Sequence, residues 1–369
     1  ADLAAGRRDL LLDRPHVVLH LEDRRRGRGR RRRHRARRLL VDRRLDLVLR
    51  AAIPTRHDPR GVEGVEVGSA ALADQLDDGH GRGSISNFAL PEGDTIHRTA
   101  NTLRRVLHDR VLSRCESSHV SVETWQLLGR RVAGVEARGK HLLIHCEPQP
   151  GAESGHAALA TTIHSHMGMT GAWHIYRPGE AWQLPDARAH LVLGTSDWVV
   201  PCFTPAMLEL LGPRGLVRHP MLAALGPDLL AADFELDEAL DRLALLGELE
   251  LGDAILRQSA VAGLGNEYKS ELLFLERLDP FARVDTLARE RLRGLLVRAR
   301  ALMQHNVERS GGRRTRFEGR ARGWVYERSG QPCRECGEII RMRRQGALAR
   351  STYFCPRCQQ VALVSPASR

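Results

Sequence analysis

Leu90-Pro91-Glu92-Gly93-Asp94-Thr95 is the stretch that decides how this chain is read. Behind it, Ile96, Ala100, Leu103 and Leu107 recur at helical spacing. Pro91 suits the first helical position, and Glu92 and Asp94 are the acids a helix N-terminus favours. At its plainest this is a proline-started, acid-capped helix. A sharper reading depends on where the mature chain begins. If Leu90 initiates and is trimmed, the Pro91 nitrogen is a free secondary amine. Such an amine attacking a sugar aldehyde gives an iminium, which is cationic without needing a proton. That electron sink drives β-elimination of a neighbouring phosphate. The attacking amine must be neutral; an α-amino group titrates near ~8, and the positive end of a helix dipole disfavours its charged form. Glu92 stands beside it as a proton shuttle.

The rest of the composition fits an anionic partner. The 369 residues suffice for two or three domains. Net charge is +12 and the sequence pI about 10.2. No apolar run approaches membrane-spanning length. Of seven cysteines, four form a metal pattern near the C-terminus, leaving Cys115, Cys146 and Cys202. An odd remainder without secretory features points to a reducing cytosol, so a cytoplasmic bacterial location is expected. Of 57 Lys and Arg, only Lys140 and Lys269 are lysines. A lysine that persists against such an arginine bias is there for its shape or chemistry.

Residues 1–89 hold 20 Arg, no Lys, and Phe88 as their only aromatic. Eleven Arg fall within residues 24–38. Such a segment cannot bury much core, and it has neither an uninterrupted apolar stretch for a secretory signal nor the acid-poor character of a transit peptide. Two readings stay open: a disordered basic arm that binds nucleic acid nonspecifically, or upstream DNA translated from a misplaced start. The first Met is Met167, and a Leu codon that can initiate is available at Leu90. Without this segment 37 basic residues face 32 acids, still a net +5.

Beyond the opening helix, alternation predicts strands around residues 120–122, 142–146, 161–164, 173–176, 191–193 and 198–200. Within this region lies Arg138-Gly139-Lys140, a lysine at a strand start. Downstream, His164-Ser165-His166-Met167-Gly168-Met169 reads as a strand end entering a tight loop rather than a metal site. A Gly/Pro/Leu-rich linker covers about 212–233, and helices are expected over 249–260, 267–277 and 287–303. Between the first two, Gly263-Leu264-Gly265-Asn266 makes a turn whose backbone N–H groups can approach a phosphate at a helix N-terminus. Finally, Cys333-x-x-Cys336, eighteen residues, then Cys355-x-x-Cys358 is a four-thiolate zinc ribbon holding one structural zinc ion. A Gln345-Gly346 turn fits the hairpin between the pairs.

Taken in order, these motifs resemble the formamidopyrimidine-DNA glycosylase / endonuclease VIII family over about residues 90–360, most of all its actinobacterial endonuclease VIII-type members. The resemblance implies an α+β multidomain fold. Residues 90–211 would form a catalytic β-sandwich with the opening helix. Residues 234–324 would form a helix–two-turn–helix domain beyond the 212–233 linker, and 325–369 a zinc-ribbon finger. It implies a bifunctional DNA glycosylase and abasic-site lyase of base-excision repair, monomeric, acting on damaged double-stranded DNA with no membrane partner. Pro91 would attack the sugar C1′ and Glu92 shuttle protons. Lys140 would reach the backbone beside the lesion, and Met169 would fill the gap left by a flipped base. Asn266 and Arg350 would grip phosphate, and Glu271 would brace the turn. Two departures bear on substrate. No Arg-Phe pair follows Gly194-Thr195-Ser196-Asp197, which tilts toward oxidised pyrimidines. Thr95 replaces a glutamate of several relatives, which fits a lyase with little base-excising power. A noncatalytic DNA binder remains the competing expectation if Pro91 is acylated.

Overall fold

The computed structural model describes residues 91–309, 313–317 and 321–360; the Arg-rich segment 1–89 lies outside the described residues. The opening helix, α1, spans Gly93–Leu107. Its apolar stripe of Ile96, Ala100, Leu103 and Leu107 is buried, as the spacing predicts. Asp94 lies in its first turn and Arg104 and Arg105 in its last, each charge at the end its dipole favours.

That stripe covers one side of a β-sandwich. One sheet runs β2 (Val132–Arg138), β3 (His141–Cys146), β4 (Thr161–His166) and β8 (Met207–Leu211). The other runs β1 (Arg114–Ser117), β6 (Ala189–Gly194), β7 (Val199–Phe203) and β5 (Ala172–Trp173). All pairs are antiparallel. Val135, Leu142, Ile144, Ile163, Leu193 and Val200 fill the space between the sheets with the stripe of α1. The strand expected at 120–122 is instead a turn. Val120 is 96% exposed, and only Val122 packs inward. Strands β1, β2 and β8 carry too many polar or helix-tolerant residues for alternation to reveal them.

The linker is not structureless. It contains α2 (Pro213–Arg218) and α3 (Pro220–Ala223), each opened by its proline. Leu216, Leu222 and Leu225 close a small apolar cluster on Leu143 and Leu211. The helical region has its own core, built from α4 (Leu236–Ala244), α5 (Leu251–Ala254), α6 (Asn266–Leu275) and α7 (Arg289–Glu308). The helix expected over 249–260 shrinks to α5. The N–H groups of Leu251 and Gly252 bond the Ala282 and Pro280 carbonyls, and the chain leaves the helix after Ile255 to reach the Gly263 turn. The last element is a hairpin of β9 (Arg341–Gln345) and β10 (Arg350–Phe354), turning at Gly346, whose φ of 68° suits glycine. Phe274 of α6 forms a small core with Val325 and Ile340, against which Tyr353 of β10 packs. Among the described residues no helix is long and apolar enough to cross a membrane.

Candidate active site

Glu92 is the residue on which the site is built. It occupies the N-cap position of α1, yet its side chain does not cap that helix. Its carboxylate crosses to the start of α6, accepting the Gly265 N–H at 2.8 Å and the Glu267 N–H at 2.9 Å. A carboxylate from the sandwich domain thus caps α6 of the helical region, where N–H groups lack partners and the dipole favours an anion. Gly265 leaves the room. A Cβ there would lie 2.5 Å from Glu92 Cγ and Oε1, with Cδ nearer still. The next residue completes the seam, with the Gly93 N–H donating to the Gly263 carbonyl at 2.9 Å. The N–H groups expected to meet a phosphate at Gly265 and Glu267 are therefore occupied by Glu92.

Below Glu92 lies an ion cluster that the sequence does not announce. Arg313, fully buried, bonds Asp94 Oδ1 at 2.6 Å and Glu267 Oε2 at 2.6 Å, and reaches Thr95 Oγ1 at 3.1 Å. Its guanidinium lies 4.8 Å from the Tyr268 ring centre. Tyr268 donates to Asp94 at 3.2 Å and accepts from Asn306 at 2.8 Å. Burial pushes the Asp94 carboxyl up, but Arg313 outweighs it and leaves it below the usual carboxylate range. Burial dominates at Glu267, raised to about 7. Thr95 is thus tied into this cluster rather than presenting an acid.

Lys140 and Lys269 feel the Glu92 charge, and Arg350 stands near both. Lys140 occupies the turn between β2 and β3. Burial lowers its amine to about 8, against the pull of Glu92 and Asp94 and with the push of Arg350 and Arg313. The turn itself is pinned by Asp228, which accepts the Gly139 N–H at 2.7 Å and also faces His97 at 3.4 Å. Lys269, the second lysine, is buried on α6 and donates to Thr352 Oγ1 at 2.7 Å and the Ser351 carbonyl at 3.1 Å. Burial and the neighbouring Arg350 bring it down to about 7. Arg350 itself is exposed at the start of β10. Lysine scarcity was a usable signal for Lys269; nothing near it in sequence gave it a role.

Asn266 is nearly buried, with its amide donating to the Ser351 carbonyl at 2.8 Å and its Oδ1 unpartnered. The phosphate grip implied for it requires Ser351 to give way. Met169 stands 75% exposed in the loop after β4. Glu271 does not brace the glycine turn. It accepts the Trp324, Val325 and Tyr326 N–H groups at 2.7, 2.8 and 2.7 Å, and the Thr315 hydroxyl, so it ties α6 to the segment entering the ribbon.

The four ribbon cysteines converge. Cys333 and Cys358 sulfurs are 3.8 Å apart, and Cys336 and Cys355 sulfurs 3.4 Å. Zinc bonded to four tetrahedral thiolates at about 2.3 Å separates its sulfurs by about 3.8 Å, so the donor set fits a structural zinc. Zinc there would hold the hairpin that carries Arg350 and Ser351. Cys115, Cys146 and Cys202 are thiols raised by burial, unsuited to reaction.

Residues 90–205 match the Formamidopyrimidine-DNA glycosylase N-terminal domain, 225–318 the Formamidopyrimidine-DNA glycosylase H2TH domain, and 330–361 the Zinc finger found in FPG and IleRS. A Streptomyces coelicolor protein described as Probable endonuclease 8 2 is 36% identical over 283 residues, 76% of this chain and 98% of its own length. The chain belongs to the formamidopyrimidine-DNA glycosylase family. Within the family it is also similar to the DNA-(apurinic or apyrimidinic site) lyase Nei2 of Mycolicibacterium smegmatis, 39% identical over 73% of this chain and 99% of that one. The solved MutM (FPG) protein of Thermus thermophilus shares 28% identity and the family fold, with a TM-score of 0.59 over 74% of this chain and all of that one.

Proposed function

We propose that this family member is a bifunctional DNA glycosylase and abasic-site lyase of base-excision repair, acting through the Pro91 amine. As a member of its family it is a DNA-repair enzyme with a zinc-finger domain. The observation that carries the reading is the docking of Glu92, the residue after Pro91, on the Gly265–Glu267 turn. The relatives support Pro91 as the mature N-terminus, since nearly their whole lengths align within about three-quarters of this chain and the N-terminal family match begins at residue 90. In this reading Pro91 attacks C1′ of the damaged nucleotide, Glu92 moves the proton, and Lys140 and Arg350 hold the flanking phosphates. Met169 enters the vacated stack, and Asn266 exchanges Ser351 for DNA. β- and then δ-elimination leave a gap. Oxidised pyrimidines are the favoured lesions, and the protein works as a monomer with one zinc ion, on cytoplasmic double-stranded DNA.

The test is borohydride reduction of the Pro91-started protein on duplex DNA with an abasic site. A covalent adduct is expected, much reduced in Pro91→Gly, whose primary amine leaves a residue of trapping. Tight binding with no adduct would make the protein a DNA binder. Thr95, held by Arg313 and offering no carboxylate, and the lyase description of the 39% relative favour a second reading. Under it, abasic DNA is cut but a duplex carrying an oxidised pyrimidine is left intact. Arg350→Ala is expected to weaken lesion-DNA binding about tenfold or more at unchanged zinc content, as loss of a charged contact does; equal binding by the variant would remove Arg350 from the site.

A further inference from the structure

A second constellation of metal-ligating side chains lies on the sandwich, away from the ribbon. On β4, His164 pairs in register with Glu209 on β8, and His219 caps the start of α3 in the linker. His164 Nδ1 lies 2.8 Å and His219 Nε2 2.9 Å from the same oxygen, Glu209 Oε1. The three donor atoms fall within 4.8 Å of one another. His164 is fully buried, His219 is nearly so, and Glu209 keeps one side toward solvent, its side chain 30% exposed. Behind His164, its other ring nitrogen meets His141 Nδ1 at 2.9 Å.

We propose that His164, Glu209 and His219 form a second divalent-metal site, suited to zinc, that fastens the linker to the β-sandwich. Two imidazoles and a carboxylate are ligands of borderline cations, with a fourth position left for water. Ring nitrogens bonded to zinc at about 2.0–2.1 Å sit roughly 3.3 Å from a neighbouring donor, so each imidazole nitrogen and the shared Glu209 oxygen part by about half an ångström. The partly exposed Glu209 side chain can supply that movement. His141 provides the outer contact that metal-bound histidines use to fix ring orientation, accepting the His164 Nε2 proton once Nδ1 is bound. At His219, binding through Nε2 moves the proton to Nδ1 and ends its long 3.4 Å contact with the Leu222 N–H. Without metal the same residues close as a hydrogen-bonded chain, which keeps the ligands gathered. An ion here ties β4 and β8 to α3, and β4 pairs with β3, the strand that leaves the turn carrying Lys140.

The proposal is independent of the repair activity and is tested without it. The Pro91-started protein and its Glu209→Ala, His219→Ala double variant are saturated with zinc, dialysed, and their metal counted by emission spectroscopy. The parent is expected to retain one equivalent more than the variant. Cobalt(II) loading separates the two sites. The ribbon gives a thiolate charge-transfer band, whereas the second site adds weak visible absorption without one. That weak absorption should vanish in the double variant while the thiolate band persists, which also shows the variant folded. Equal metal content in the two proteins would overturn the proposal. So would a single thiolate-type class of cobalt in the parent alone, a result that needs no variant.

Discussion

Arg313→Ala should be the most destabilising single substitution in this protein, by about 3–5 kcal/mol, because it strands buried carboxylates without their cation. Asp94 has no exposure at all and takes its strongest hydrogen bonds from Arg313. Glu267, whose carboxyl is raised by burial, loses its 2.6 Å partner. Both acids lie within the first turn of a helix that meets at the Glu92 seam, so the seam should open with the cluster. Removing Asp94 as well should restore part of the loss, since the larger penalty lies in the unpaired charge. Urea unfolding of the single and double variants measures this. An Arg313→Ala protein as stable as its parent would mean the cluster is solvated, not buried.

The second large effect is catalytic. Glu92→Gln should lower both base release and strand cleavage by about 100-fold or more, the range assigned to a lost proton-transfer group. The amide also turns one NH₂ toward the Gly265 or Glu267 N–H, a donor facing a donor, at a penalty of about 1–3 kcal/mol. Gly265→Ala should reproduce the catalytic loss without touching any ionisable group, because its methyl occupies the place of the Glu92 carboxylate. Gel-resolved cleavage of abasic and lesion-bearing duplexes, with zinc content as the check on folding, reads both variants. Full activity in Gly265→Ala would show that the position of Glu92 on α6 is irrelevant to the reaction.

What could be read from the sequence follows from how local each cause is. The ribbon was legible because chelation by two short Cys pairs leaves a spacing, and the opening helix because its buried stripe repeats along a single element. Lys140 stood out against the arginine background. The Glu92 cap was not legible, because Gly265 and Glu267 lie more than 170 residues away and a glycine N-cap looks like any turn. Arg313 sits in an arginine-rich stretch with no pattern to separate it from its neighbours, and only its buried contact with Asp94 marks it. His219 lies in a segment read as linker and Glu209 in one left unassigned, so sheet register brings His164 to Glu209 and the cap of α3 brings His219 to the same oxygen. The same holds for β8, whose Met-Leu-Glu-Leu-Leu reads equally well as helix until it pairs with β4.

In the proposed reaction the Pro91 nitrogen is the nucleophile. Protein made in its own cells, trapped on abasic DNA with borohydride, digested and mapped by mass spectrometry, tests it most directly. A peptide that begins at Pro91 and carries the sugar remnant on its amino nitrogen is expected. A peptide in which Pro91 is preceded by Leu90, with the remnant on Lys140 or Lys269 or nowhere, would contradict it.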